Sequence, residues 1–262
     1  MSRGISLAAM DDVDRSVVFE TRRALRSAWR DLIASLGVAD GGRILIAGRN
    51  VDVLVDELPA PTANVGPGLA VLGPEPMALD PEPMALDPAA SSSATGLADA
   101  AVDTVAMLSA WSDAVEVGPA VAEAVRVVRP GGTVWIGEPD LDVLTRSMPA
   151  TYRAGLLYQR SPSIAARVRE RVQAPSVLGV EMVRQRLKDV TVFTRDVPLL
   201  AVANAAEAVE AVRGGIWPGT EMLSPEDLDD LLEAVRASLQ PPVRFPAVDL
   251  EPWTLVRGLR AP

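Results

Sequence analysis

The sequence predicts an α/β fold, an open, twisted and mostly parallel sheet with helices on both faces. Three observations point there. Short apolar runs of strand length alternate with longer stretches whose apolar residues recur at helical spacing. Glycine- and proline-bearing breaks fall between them. An apolar run near the C-terminus supplies a paired strand at the end of the series.

In chain order, residues 12–36 read as a helix. Val18, Leu25, Trp29, Leu32 and Leu36 fall at helical spacing, with Arg22, Arg23, Arg26 and Arg30 on the other faces. Asp40-Gly41-Gly42 stops this element. Residues 43–47 read as a short buried strand, 51–58 as a helix and 69–73 as a second strand. PEPMALD at 74–80 then repeats as 81–87. Solenoids need three or more units of about 20–50 residues, so the duplication reads as an insertion in a surface loop. Prolines at 74, 76, 81 and 83 prevent a continuous helix there, and 74–95 is expected to be irregular. Residues 101–108 read as a strand and 119–128 as a helix. Arg129-Pro130-Gly131-Gly132 reads as a tight reversal into a strand at 133–137. Ser161-Pro162 caps a helix to about residue 173, followed by a helix at 180–187 and extended chain at 190–203. Residues 205–213 read as helix. Ser224-Pro225-Glu226-Asp227 opens another that runs to 239, and 253–259 is the last strand.

Composition narrows the chemistry. The 262 residues are 48% hydrophobic and 23% charged, which suits one large domain with a sizeable core. A net charge of −10 argues against nucleic acid as a partner, because phosphate-backbone binding needs a basic surface. The sequence has no Cys, which excludes disulfides, thiol nucleophiles and zinc–thiolate sites. It has no His, which removes imidazole bases and Ser–His–Asp triads, and no metal site is expected. Lys188 is the only lysine, so Schiff-base chemistry would rest on it alone. No apolar run reaches the roughly 20 residues that span a membrane, and no leader pattern opens the chain. The expectation is a soluble cytoplasmic protein without a membrane partner.

Residues 100–140, AAVDTVAMLSAWSDAVEVGPAVAEAVRVVRPGGTVWIGEPD, resemble the central part of class I S-adenosylmethionine-dependent methyltransferases. In that family a strand beginning Phe-Asp precedes a helix ending in Arg-Val-Leu-Lys/Arg-Pro-Gly-Gly and a further strand. Val102-Asp103 and Arg126-Val127-Val128-Arg129-Pro130-Gly131-Gly132 take those places here. The resemblance covers about residues 30–145. It implies a Rossmann-like, seven-stranded sheet with the last strand antiparallel. On this basis 1–262 is a single methyltransferase-like domain. Its parts are an N-terminal helical segment (12–40), a cofactor-side half (43–145), a helical cap (146–190) and C-terminal strands and helices (191–262).

Against the family's Asp-x-Gly-x-Gly-x-Gly loop, ILIAGRNVD puts Ile46 at the acidic position, keeps Gly48, and has Asn50 and Asp52 where the other glycines belong. The family's ribose-gripping acid maps to Glu75, with Glu82 its duplicate. The acid-plus-small-residue pair that contacts adenine falls on Ser91-Ser92, neither of them acidic. Gly48 and Glu75 are thus the cofactor-binding residues the resemblance carries over, from a site otherwise eroded. The expected function is a methyltransferase-like protein that has lost ordinary cofactor binding and serves as a partner subunit or ligand-binding module, or catalyses a reaction without methyl donation; no cofactor is expected. The alternative is an active, divergent methyltransferase that binds S-adenosylmethionine and acts on a small molecule. A nicotinamide-dependent dehydrogenase would need G-x-G-x-x-G, of which GRNVDV offers only the first glycine.

Ligands of open α/β sheets bind at the carboxyl ends of the strands, which makes Trp111, Asp113 and Glu138, with Asp140, the candidate pocket residues. The competing expectation is that Trp111 packs and the carboxylates cap loops. Arg160, Arg167, Arg169, Arg171, Arg184 and Arg186 are read either as an anion site or as a solvated face with Val168 and Val172 on the packed side.

Overall fold

The computed structural model describes residues 12–37, 42–48, 62–66, 69–72, 95–108, 117–147, 152–241 and 243–262. The expected helix at 51–58 lies outside these residues, as does the expected irregular stretch 74–95 apart from Thr95. The strands are β1 (Ile44–Gly48), β2 (Thr62–Gly66), β3 (Leu69–Leu72), β4 (Val102–Leu108), β5 (Val128–Pro139), β6 (Lys188–Val202) and β7 (Ala247–Leu259). The helices are α1 (Asp12–Ser35), α2 (Val117–Val127), α3 (Leu141–Arg146), α4 (Gly155–Arg160), α5 (Pro162–Arg171), α6 (Pro175–Arg184), α7 (Ala205–Arg213) and α8 (Pro225–Ser238). No helix among the described residues is long and apolar enough to cross a membrane.

The open α/β sheet is mixed, with strand order β2-β3-β1-β4-β5-β7-β6. The expectation of a mostly parallel sheet is overturned. Among the described residues only β1·β4 and β4·β5 pair in parallel, and β1·β3, β2·β3, β5·β7 and β6·β7 are antiparallel. For the β2·β3 pair the reason is connection length. Parallel neighbours need a crossover of a dozen or more residues, whereas only residues 67–68 separate β2 from β3. The chain therefore turns back as a hairpin, and the returning β3 takes the place beside β1.

Parallel strands are usually buried on both faces, and β1 shows how the sequence meets this. Leu45 and Ala47 face one core with Val105, Met107, Val134 and Ile136, beneath Ala120, Val121 and Ala124 of α2 and Leu178 and Met182 of α6. Ile44 and Ile46 face the other with Ala106, Leu108 and Trp135, beneath Leu25, Trp29 and Leu32 of α1 and Leu36 directly after it. The predicted stripe of α1 from Leu25 to Leu36 is thus its packed face, while Arg22, Arg23 and Arg30 are exposed. Trp135 fixes the end of α1 further, its Nε1 donating to the Leu36 carbonyl at 3.0 Å.

The Pro-Gly-Gly segment does not make the expected reversal. Strand β5 begins at Val128, directly after α2, and runs through it. Gly131 adopts φ +77° and donates its N–H to the Arg260 carbonyl, while the Arg260 N–H donates to Gly132. A Cβ on Gly132 would lie 2.6 Å from the Asp103 carbonyl oxygen. These glycines therefore let the first residues of β5 stay laddered between β4 and the end of β7.

Helices α3, α4, α5, α7 and α8 gather into a third core over the far ends of β6 and β7. Neither α3 nor α4 is legible as a separate helix; β6 agrees with the extended chain expected at 190–203, whereas β7 begins at Ala247, ahead of the expected 253. Inside that region Arg153 faces Asp249 at 3.4 Å, both nearly buried, and Trp217 Nε1 donates to the other Asp249 oxygen at 3.2 Å. Burial pushes the Asp249 carboxyl up, with the Arg153 charge and the Trp217 hydrogen bond opposing it.

A second buried carboxylate ties the chain entering β4 to α2. Glu123 accepts from the backbone N–H and hydroxyl of Thr95, at 2.8 and 2.6 Å, and pairs with Arg126, which also reaches Asp99. Burial alone would raise the Glu123 pKa. Hydrogen bonds from Arg126 and Thr95 outweigh it, and the carboxyl sits below its ordinary 4.5. Asp103 is likewise lowered, burial being outweighed by its bonds from the Arg43 backbone and the Arg129 side chain. A depressed carboxyl contributes stability above its unfolded pKa and loses it as pH falls through the folded value. Wild-type stability, read from urea unfolding, should therefore decline as pH drops below about 4.5. Glu123→Gln should cost about 1–3 kcal/mol at pH 7 and progressively less in acid.

Candidate functional site

The carboxyl ends of β1, β4 and β5 lie side by side, in the registers Gly48↔Leu108 and Leu108↔Gly137. From β1 the chain goes to β2 and β3 on one side, while β4 and β5 lie on the other. The boundary between β1 and β4 is therefore the topological switch point, where open sheets of this kind place ligands.

At that boundary the strand ends are pressed together. Gly48 has φ +148°, and a Cβ built on it would lie 1.9 Å from the Leu108 carbonyl oxygen and 2.8 Å from its carbonyl carbon. No side chain fits there. The glycine is required by the contact between two strands, independently of any ligand. Two residues earlier, Ile46 is 1% exposed and packs in the α1-side core. The position the family fills with an acid is here part of the apolar interior. Asn50, Asp52, Glu75, Ser91, Ser92, Trp111 and Asp113 lie outside the described residues.

Glu138, at the end of β5, is described and is 6% exposed. It lines a cavity of about 350 Å³. The β5 end and the first residues of α3 form one wall, and Thr254 of β7 stands across from Glu138 in the strand register. Arg169 of α5 and residues 172–175 complete the lining. The fold brings Glu138, Asp140, Asp142 and Arg169 to one place, joining the post-β5 carboxylates to one member of the arginine-rich stretch.

These groups have different local roles. Asp140 caps α3, accepting from the Val143 N–H at 3.0 Å through one oxygen and from the Thr254 hydroxyl at 3.0 Å through the other. Its own N–H donates to the Pro252 carbonyl at 2.7 Å, so Asp140 pins the turn after β5 to β7. A cap of this kind is worth about 1 kcal/mol. Asp142 pairs with Arg169 at 2.9 Å on a surface where the two side chains are 67% and 50% exposed. Such an exposed pair positions the two groups more than it stabilises the fold.

The other arginines of the stretch follow the solvated-face expectation where partners are described. Arg171 faces Glu221 at 3.9 Å and Arg184 faces Glu181 at 3.3 Å. Val168 is buried and Val172 packs against the same helical core, as the spacing predicts. Thr254 had no signal in the sequence as a site residue. It lies more than a hundred residues from Glu138 and reaches it only through the β5–β7 pairing.

No family model matches the chain, and no curated protein matches it. Solved structures similar to it include a candidate methyltransferase from an antibiotic biosynthesis pathway of Anabaena variabilis, at 15% identity and a TM-score of 0.42, covering 63% of this chain and 70% of that one. Another is phosphoethanolamine N-methyltransferase 2 of Haemonchus contortus, at 14% identity and a TM-score of 0.31, where the match covers 63% of this chain and 35% of that one. A third is a S-adenosylmethionine-dependent methyltransferase of Thermotoga maritima, a candidate histamine N-methyltransferase, at 13% identity and a TM-score of 0.33, with 64% and 61% covered.

Two substitutions test the strand-end geometry by urea denaturation. Gly48→Ala should destabilise the fold by about 3–5 kcal/mol, since neither the backbone angle nor the space admits a Cβ. A near-neutral result would mean that the strands separate easily at the switch point. Ile46→Asp, which restores the family's acid, should cost about 3–5 kcal/mol by burying a carboxylate among apolar side chains.

Proposed function

We propose that this chain is a methyltransferase-like protein whose S-adenosylmethionine site is eroded, and that it acts as a ligand-binding or partner module without methyl donation. The placement of Ile46 carries this reading. The acid of the family's first-strand motif is replaced by a residue committed to the core under α1. Relaxing the loop cannot restore a carboxylate there.

Gly48 is the motif glycine that the sequence retains, and its contact with Leu108 gives it a purely structural reason to persist. It is therefore weak support for a cofactor. The sequence places Asn50 and Asp52 where the family has close-approach glycines, and serines where it has an adenine-side acid. Each lost polar contact to a buried ligand costs about 1–3 kcal/mol. Two or three such losses carry an affinity from micromolar to millimolar or beyond.

One observation favours the alternative of a divergent, active methyltransferase. The cavity beside Glu138 opens at the carboxyl end of the sheet, where a small acceptor substrate would lie. Methyl transfer needs chiefly proximity and alignment, so the absence of His does not forbid it.

Calorimetric titration separates the two. With S-adenosylmethionine or its demethylated product at millimolar concentration, no saturable heat is expected, and neither compound should raise the melting temperature. Saturable binding in the micromolar range would overturn the eroded-site reading in favour of the enzyme.

A further inference from the structure

We propose that two copies of this chain pair through the outer edge of β6, antiparallel about a two-fold axis at Val192, so that their sheets run on as one. The inference goes beyond the eroded-site reading and holds with or without S-adenosylmethionine.

Among the described residues β6 ladders with β7 alone and ends the sheet. An edge strand presents backbone N–H and carbonyl groups that a further strand can pair. On β6 the Thr194 carbonyl takes a hydrogen bond at 2.8 Å from the side chain of the next residue, Arg195. Edges are commonly blunted by bulges and prolines. Strand β6 has both, but near its limits. Its register with β7 shifts between Lys188 and Thr191, where Asp189 has φ +51°, and again between Pro198 and Leu200. From Thr191 to Pro198 the ladder is unbroken, which leaves a regular template at the edge.

The charges select one register. A two-fold axis makes each residue meet the same partner from both sides. With Val192 opposite itself, Val190 meets Thr194 and Thr191 meets Phe193. Beyond them Asp189 comes opposite Arg195, and Lys188 opposite Asp196. Every charge on this stretch then faces one of opposite sign. Moving the axis to Thr191 or Phe193 sets Lys188, Asp189 and Arg195 against uncharged residues. None of these three forms an ion pair among the described residues. Complementary charges of this kind fix register and suppress wrong pairings. The stretch is its own complement when reversed, which is why the occupant is a second copy of this chain.

Exposed apolar surface lies beside the same edge. Five large hydrophobic side chains are exposed among the described residues, and four of them, Val177, Val180, Val183 and Val192, belong to α6 and β6. Gly179 of α6 faces β6, since a Cβ on it would lie 3.7 Å from Val190. Val183 stands one turn further along that side of the helix, and Val192 follows Val190 on the same face of the strand. These two are 61% and 57% exposed. Pairing would bring Val192 against its counterpart and turn Val183 of each copy toward the join. In edge pairing the main-chain hydrogen bonds supply affinity, and such alternate side chains supply specificity.

Sedimentation of the full chain at micromolar concentration should give a species of twice the 27.7 kDa chain mass. Val192→Lys sets like charges directly opposite each other and should weaken association about tenfold or more, with the circular dichroism spectrum unchanged. Lys188→Glu should weaken it too, and combining Lys188→Glu with Asp196→Lys should restore it. Carbodiimide coupling reads the register. Lys188 is the only lysine of the chain, and the strand between them holds it about 26 Å from Asp196 of its own copy. A Lys188–Asp196 amide found by mass spectrometry therefore joins two copies. If Val192→Lys fails to fold, the charge exchange and the amide decide. A monomer at every concentration overturns the proposal, as does a dimer that Val192→Lys leaves intact, a double variant that does not re-associate, or a coupled dimer without that amide.

Discussion

Strands β1, β4 and β5 pair in parallel, and both of their faces must be covered. Covering them organises most of the chain. On one face α1 and the turn after it lay Leu25, Trp29, Leu32 and Leu36 across Ile44, Ile46, Ala106 and Trp135. On the other, α2 and α6 close over Leu45, Met107 and Ile136. Each buried aliphatic side chain contributes roughly 1.5–3 kcal/mol relative to exposure, so these layers supply the driving force that the polar ties then make specific. The Glu123 cluster fixes the chain entering β4, and the Trp135–Leu36 hydrogen bond fixes where α1 ends.

This two-sided burial also shapes what the carboxyl edge can do. A strand committed to the core on both faces has little freedom at its tip, and the contact of Gly48 with Leu108 draws the β1 and β4 ends together. A polar ligand at that boundary would have to be met by groups beyond the strand ends. Further along the edge the situation differs. Strand β5 ends beside antiparallel β7, and Asp140 bridges the two through Thr254 and the Pro252 carbonyl. The space there is bounded by the helical layer, and Glu138 borders it. The sheet thus has a tightly closed boundary between β1 and β4 and an open hollow beside β5.

The helical region between β5 and β6 has a dual part. Its inner face packs Leu144, Leu157, Ile164 and Val168 against α7 and α8, while the outer end of α5 supplies Arg169 to the cavity mouth. The buried Arg153–Asp249 pair joins this layer to β7. Removing either member would leave the other charge uncompensated in the interior, which is far costlier than the pair itself is stabilising. The layer is therefore anchored to the strand that also carries Thr254.

The sequence by itself determined the class of fold, because a buried strand and an amphipathic helix each leave a periodic trace in a local window. The α1 stripe, the apolar run ending at Gly48, the strand at 102–108, the helix at 205–213 and the Ser224 cap were all legible for that reason. Strand direction was not. Whether β3 pairs parallel or antiparallel with β1 depends on the path between them, and only the hairpin return decided it. The Pro-Gly-Gly segment read locally as a reversal, yet pairing with Arg260 at the far end of the chain holds it in the ladder. At the site, Glu138 was visible as a strand-end carboxylate. Its burial, the capping role of Asp140 and the approach of Thr254 and Arg169 follow from β5–β7 pairing and helix packing. Such contacts join residues distant in the chain, and local periodicity carries no record of them.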